Sequence, residues 1–205
     1  MQSYIRFADT LSAWVGKAFA WLIFVMVFGV AYEVFMRYVL NKPTAWALDV
    51  SFIMYGSLFM MGGAYTLAKN GHVRGDFIYR NWTPRTQAKV ELVLYFLFFF
   101  PGITAMVLAG LKYAVRSWGF GEVSVNSPAR IPIYQYKSVI VAAGLLLFLQ
   151  GIAQVMRCIH CIKTGQWMAE SVDPDVEETE VLLMRQMEEA KAKEMAEESN
   201  KETRA

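Results

Sequence analysis

Charge is missing from four long stretches of this 205-residue chain. No Asp, Glu, Lys or Arg lies between Lys17 and Glu33, Asp49 and Lys69, Glu91 and Lys112, or Lys137 and Arg157, gaps of 15, 19, 20 and 19 residues. Cysteine and histidine are scarce, at two each. Cys158 and Cys161 form a C-x-x-C around His160, but no second pair completes the four ligands of a zinc site. Ile162, not histidine, follows the second cysteine, which rules out c-type haem attachment. The two cysteines read as free thiols at a helix end. No carboxylate dyad or nucleophile–base pair stands out, so the chain does not read as an enzyme. No basic stripe with a stacking platform supports nucleic-acid binding. A small-residue cleavage site after the first apolar run is missing as well, so that run is expected to stay as an anchor rather than leave as a signal peptide. Neither a cofactor nor a metal is expected.

What is present is apolar surface. Hydrophobic residues make up 56% of the chain and charged residues 19%, too apolar for an ordinary soluble domain. The charges divide sharply. Residues 1–163 hold 15 Lys and Arg against 6 acids, whereas residues 164–205 hold 5 against 12. This describes a membrane domain over 1–163 and an acidic cytoplasmic tail over 164–205. The basic excess of the first part suits loops beside anionic lipid.

An uncharged run of 19 residues rises about 28 Å as a helix, close to the roughly 30 Å hydrocarbon core of a bilayer. Four spans are expected, at about 18–38, 45–69, 88–112 and 136–159. The fold class is therefore all-α, an integral-membrane four-helix bundle with an interfacial segment after the second span. Ahead of the first span, Ile5, Leu11, Trp14 and Val15 can lie on the membrane with Arg6, Asp9 and Lys17 outward.

The ends of the spans carry the candidate sites. Glu33 and Arg37 are four apart and share a helix face, where they can pair or meet a partner subunit. Thr44 is a plausible cap for the second span. Trp46 suits an interface anchor, and Asp49 sits where the helix dipole favours an acid. Gly56 and Gly63 share a face of the second span and permit close packing, within the chain or on a partner. Gly102, Ala105 and Ala109 form a similar stripe on the third span, which Pro101 is expected to kink. Gln150 and Gln154 can bond across helices. The most basic loop, residues 69–89, holds His72, Arg74 and Asp76, candidates for partner or lipid headgroup contact. In the tail, Val176, Leu183, Met187 and Ala190 recur at helical spacing, which fits either a partner-docking helix or a solvated acidic segment.

Counting Lys and Arg, the side holding the termini and the 69–90 loop has nine and the opposite side six. The positive-inside rule then places both termini in the cytoplasm. The cores of the second, third and fourth spans carry no charge and no inverted repeat is evident. A chain that moves a charged solute alone usually carries ionisable groups mid-membrane. This one reads as an accessory or scaffold subunit.

The stretch from Arg37 to Asp76 reads RYVLNKPTAWALD, an apolar helix rich in Gly and Met, then AKNGHVRGD. It resembles the small membrane subunit of TRAP transporters, the DctQ family. Arg37, Asn41, Pro43, Trp46, Asp49, His72, Val73 and Asp76 match that pattern in order, with Asp49 where the family more often has Glu. The later SWGFGEVS, residues 117–124, also fits, and the resemblance covers roughly residues 10–162. It implies a bacterial inner-membrane protein that supports a large elevator-type subunit. It also implies a periplasmic substrate-binding protein as third component, and import of small organic acids on a sodium gradient. The alternative is the membrane anchor of a redox complex. Four helices suit that role, but His72 and His160 sit at helix ends rather than facing each other within the bundle.

Overall fold

The computed structural model describes residues 1–69, 71, 79, 81–168 and 187. It divides into two units, Met1–Met168 and Ala169–Ala205. The first unit is all-helical apart from one isolated antiparallel bridge, Val123 to Pro132. Its elements are α1 (Gln2–Ala20), α2 (Leu22–Tyr38), α3 (Ala47–Ala68), α4 (Pro84–Leu94), a π-helical turn (Tyr95–Phe99), α5 (Phe100–Phe120) and α6 (Tyr134–Thr164). Four helical stretches are long and apolar enough to cross a membrane: Gln2–Tyr38, Ala47–Ala68, Pro84–Phe120 and Tyr134–Thr164. The chain is thus an all-α membrane bundle. The segment after α3 expected at the interface, and the tail, lie outside the described residues apart from Gly71, Tyr79, Asn81, Trp82, residues 164–168 and Met187.

The organising helix is α6. It packs against α1, α3, α4 and α5, and small residues make this possible. A Cβ on Gly144 would come within 2.6 Å of Val107, and one on Gly151 would collide with the Phe99 ring. From α5, Gly110 lies against Ile140, at 3.0 Å for an added Cβ. Gly56 of α3 lies under the Tyr136 hydroxyl of α6, and Gly63 faces Leu147 at 3.9 Å. The Gly56/Gly63 face therefore meets α6 of its own chain. Gly102 meets nothing within 4 Å, and Gly102, Ala105 and Ala109 all face outward.

Pro101 acts through the turn before it. Proline has no N–H to give the carbonyl four residues back, and its ring crowds that carbonyl. The helix widens ahead of it: Tyr95–Phe99 is π-helical, and the Phe100 N–H reaches back five residues to the Tyr95 carbonyl. The Phe99 ring settles over Gly151, and the Phe100 ring meets Phe148 edge-on at 5.3 Å.

Two expectations are corrected at the N-terminal half. The first helix starts at Gln2 and breaks only at Trp21, and its buried stripe is Ile5, Ala8, Asp9, Ser12 and Gly16. Asp9 and Ile5 face inward, each 4% exposed, whereas Trp14 stays on the outer surface and Arg6 and Lys17 stay exposed. Thr44 does not cap α3. That helix begins at Ala47 with Trp46 at the capping position and no side-chain cap, because Thr44 is engaged by Glu33.

Candidate partner-facing sites at the two ends of the bundle

One end of the bundle carries the 39–46 and 121–133 loops. The carboxylate of Glu33 organises the first loop. Its Oε1 accepts from Arg37 Nη2 at 2.6 Å and Nε at 3.0 Å, and its Oε2 accepts from the Thr44 N–H at 3.0 Å and from the Thr44 hydroxyl. The i,i+4 pair thus also fastens the loop that leads into α3. Trp46 stacks on Tyr32, with ring centres 6.3 Å apart. Asp49, buried in the first turn of α3, accepts from the Ser127 hydroxyl and so joins the two loops.

The second loop is held from several sides. Gly121 ends α5 in the left-handed region at φ 57°, a conformation glycine adopts without a Cβ penalty. The Glu122 N–H then closes on the Ser117 carbonyl at 3.1 Å. Across the loop, Ser124 N donates to Ile131 O at 2.7 Å and Ile133 N to Glu122 O at 3.0 Å. Lys137, buried in the first turn of α6, pairs with Glu122 and sits 3.8 Å from the centre of the Tyr113 ring. The Lys137 ammonium is the main cause that holds the Glu122 carboxyl below its ordinary range. Trp118 packs edge-on against Tyr134 at 4.5 Å and donates to Ser138 at 2.9 Å.

The other end holds a buried polar cluster, in which the expected cross-helix bonds of Gln150 and Gln154 are joined by Asp9, Ser12 and Arg157. Asp9 Oδ2 accepts from Arg157 Nη2 at 2.5 Å, and its Oδ1 accepts from Gln150 Nε2 at 2.9 Å. Ser12 donates to Gln150 Oε1 at 3.0 Å, completing the amide. Gln154 Nε2 donates to the Leu67 carbonyl at 2.8 Å, tying α6 to α3. Gln150, Gln154 and Arg157 follow the i, i+4, i+7 spacing of one helix face, a pattern legible in the chain. What hides the cluster is its partner, Asp9, which the amphipathic pattern of the first helix places on the outside.

Nearby, Glu91 of α4 accepts from Tyr79 and lies 3.7 Å from Cys158 Sγ, while Cys161 Sγ is 3.5 Å from the Pro84 carbonyl. Both thiols are free and buried. Among the described residues no three His, Cys, Asp or Glu side chains are grouped so as to hold a metal. Of the candidate sites read from the sequence, Glu33, Arg37, Trp46 and Asp49 gather at the loop end. Gly56 and Gly63 line the α3–α6 seam. His72, Arg74 and Asp76 lie outside the described residues.

No curated protein matches the chain. A family model does, over residues 26–161: the DctQ component of tripartite ATP-independent periplasmic transporters. That match spans α2 to the last turn of α6, including both loops and the seams with Gly56, Gly63, Gly144 and Gly151. It covers well over half of the 205 residues, so this chain belongs to the DctQ family, the small membrane component of a TRAP transporter.

Proposed function

We propose that the chain is the scaffold subunit of a secondary transporter that imports small organic acids on a sodium gradient. It would widen and steady the static part of a large elevator-type subunit, in the inner membrane, with both termini cytoplasmic. The observation that carries this reading is the state of its carboxylates. All five described acids, Asp9, Glu33, Asp49, Glu91 and Glu122, are engaged by the chain's own residues. A carboxylate already bonded within the chain is poorly suited to take up a sodium ion. Conversely, α2 buries none of its residues, and the Gly102/Ala105/Ala109 stripe of α5 is open. Those faces suit close contact with another membrane helix. Glu33, Arg37, Trp46 and Asp49 would set the depth and shape of the loop end, and His72, Arg74 and Asp76 would meet partner or lipid at the other.

The test is purification of the tagged full chain from its native membranes in mild detergent. A stoichiometric, much larger multispan protein supports the reading, and a haem or flavin protein in its place refutes it. Arg37→Ala combined with Asp49→Ala is expected to lower complex yield or uptake; wild-type values for both would remove these residues from the site.

A further inference from the structure

Helix α4 is divided lengthwise into three flanks. Ala88 is fully buried against Cys158 and Cys161 of α6. Gln87 and Glu91, one turn apart, form a second flank that is engaged by the chain. Gln87 donates to the Tyr79 carbonyl at 3.0 Å and accepts from Trp167 Nε1 at 3.1 Å, and Glu91 accepts from Tyr79. Arg85 and Lys89, also one turn apart, form the third. Both are exposed, and among the described residues neither has an acid partner. Val93 and Phe96 continue this flank and are exposed as well.

This arrangement works against the stability of α4 taken alone. Like charges four residues apart on a helix repel. Arg85 also stands in the first turn, where the dipole disfavours a cation, and that turn holds no acid to offset it. Yet Arg85 is held in place. Gly165 closes α6 in the left-handed region at φ 81°, and a Cβ there would come 3.3 Å from Arg85 Nε. The uncharged run of this span begins after Glu91, so Lys89 and Arg85 stand about 3 and 9 Å outside it along the helix, at headgroup level. Val93 and Phe96 lie within it.

We propose that the Arg85/Lys89 flank of α4 is a binding site for an anionic phospholipid, its phosphate between the two side chains and an acyl chain along Val93 and Phe96. A phosphate there offsets both costs at once. A free anion would use the cations and leave the apolar continuation without a role. A lipid joins anion and hydrocarbon in the order in which the flank presents their partners. A net negative headgroup is favoured over a zwitterionic one, because this flank offers no acid to an ammonium group. The site does not depend on which membrane protein the chain accompanies.

The test uses the full chain, with any membrane partner it retains, purified in mild detergent and exchanged into phosphatidylcholine. Native mass spectrometry then follows titration with phosphatidylglycerol or with phosphatidylcholine of the same chains. The first phosphatidylglycerol is expected to bind about tenfold more tightly, and this preference should shrink severalfold between about 50 and about 500 mM ammonium acetate. Arg85→Gln with Lys89→Gln should abolish the preference. Lys112→Gln with Arg116→Gln, which removes the same charge from the far end of α5, should leave it intact. A wild-type chain without the preference, or with one insensitive to salt, overturns the site. Equal loss in both double variants overturns it too, since net charge alone would then be at work. So does displacement by about 10 mM inorganic phosphate, which would make the ligand a free anion. If the glutamine pair melts early in phosphatidylcholine, Arg85→Lys with Lys89→Arg decides: it keeps both charges and should keep the preference, and its loss overturns the proposal.

Discussion

Replacing Asp9 by alanine strikes an ion pair that is buried on both sides. Asp9 and Arg157 are 4% and 3% exposed, and the carboxylate accepts from both the guanidinium and Gln150. Arg157 already has two nitrogens, Nε and Nη1, without a hydrogen-bond partner. Losing Asp9 frees Nη2 as well and leaves a buried cation with no counter-charge. Removing one member of a buried pair costs about 3–5 kcal/mol, because the remaining charge stays desolvated. At about 2–4 °C per kcal/mol for a chain of this size, Asp9→Ala should lower the melting temperature in detergent by roughly 10 °C. The double variant Asp9→Leu/Arg157→Met removes both charges and leaves only the Gln150 amide short of an acceptor, a cost of about 1–3 kcal/mol. It should therefore melt above Asp9→Ala, and the double-mutant cycle should show a coupling well beyond 0.5 kcal/mol. A melting temperature for Asp9→Ala within about 2 °C of wild type would refute the reasoning, as would a double variant whose loss equals the sum of the single losses.

Gly56→Val should cost about 1–3 kcal/mol by driving a side chain into the Tyr136 hydroxyl; Tyr136→Phe should recover part of the loss, read by thermal melting. Gly63→Ala should stay close to wild type in the same assay, since its nearest neighbour, Leu147, is at ordinary contact distance. The Glu122 carboxyl is held below its ordinary value, so its contribution is fully present above that ordinary value of 4.5 and is lost as pH falls through the lower folded value. Amide exchange across 121–133, corrected for intrinsic pH dependence, should therefore stay flat above the ordinary value of 4.5 and rise only as pH falls below it, and Glu122→Gln should remove that step. Glu33→Ala should speed exchange at the Thr44 amide, which donates to that carboxylate, while exchange in the middle of α3 is unchanged.

Much of this architecture is written in the spacing of charge. Gaps of 15 to 20 uncharged residues mark the four spans because a bilayer imposes a length on whatever crosses it. The structure puts helix ends beyond those gaps because charged and polar residues can continue a helix into the headgroup region: α6 runs for 31 residues, about 46 Å. Loop chemistry was harder to read. Thr44 has the side chain of a capping residue and stands close to the start of α3, but Glu33, eleven residues earlier, offers it a charged acceptor. Local propensity lost to a contact that exists only once α2 and α3 are side by side. Pro101 marked a disturbance, yet its form, a π turn that seats Phe99 over Gly151, depends on a glycine fifty residues away.

The inward turn of Asp9 has a more general cause. Amphipathic helices are usually read as if water lay on one side, which gives Asp9 to the solvent and Ile5, Leu11, Trp14 and Val15 to the membrane. Beside lipid, the apolar face needs no protein partner, because hydrocarbon chains solvate Phe7 and Trp14 well. The polar face does need one, since an unsatisfied carboxylate in that environment costs several kcal/mol. With Gln150 and Arg157 available on α6, inward is the cheaper place for Asp9 and Ser12. The same preference ties the other described carboxylates, Glu33, Asp49, Glu91 and Glu122, to groups of the chain itself, so that each helps to hold the bundle together.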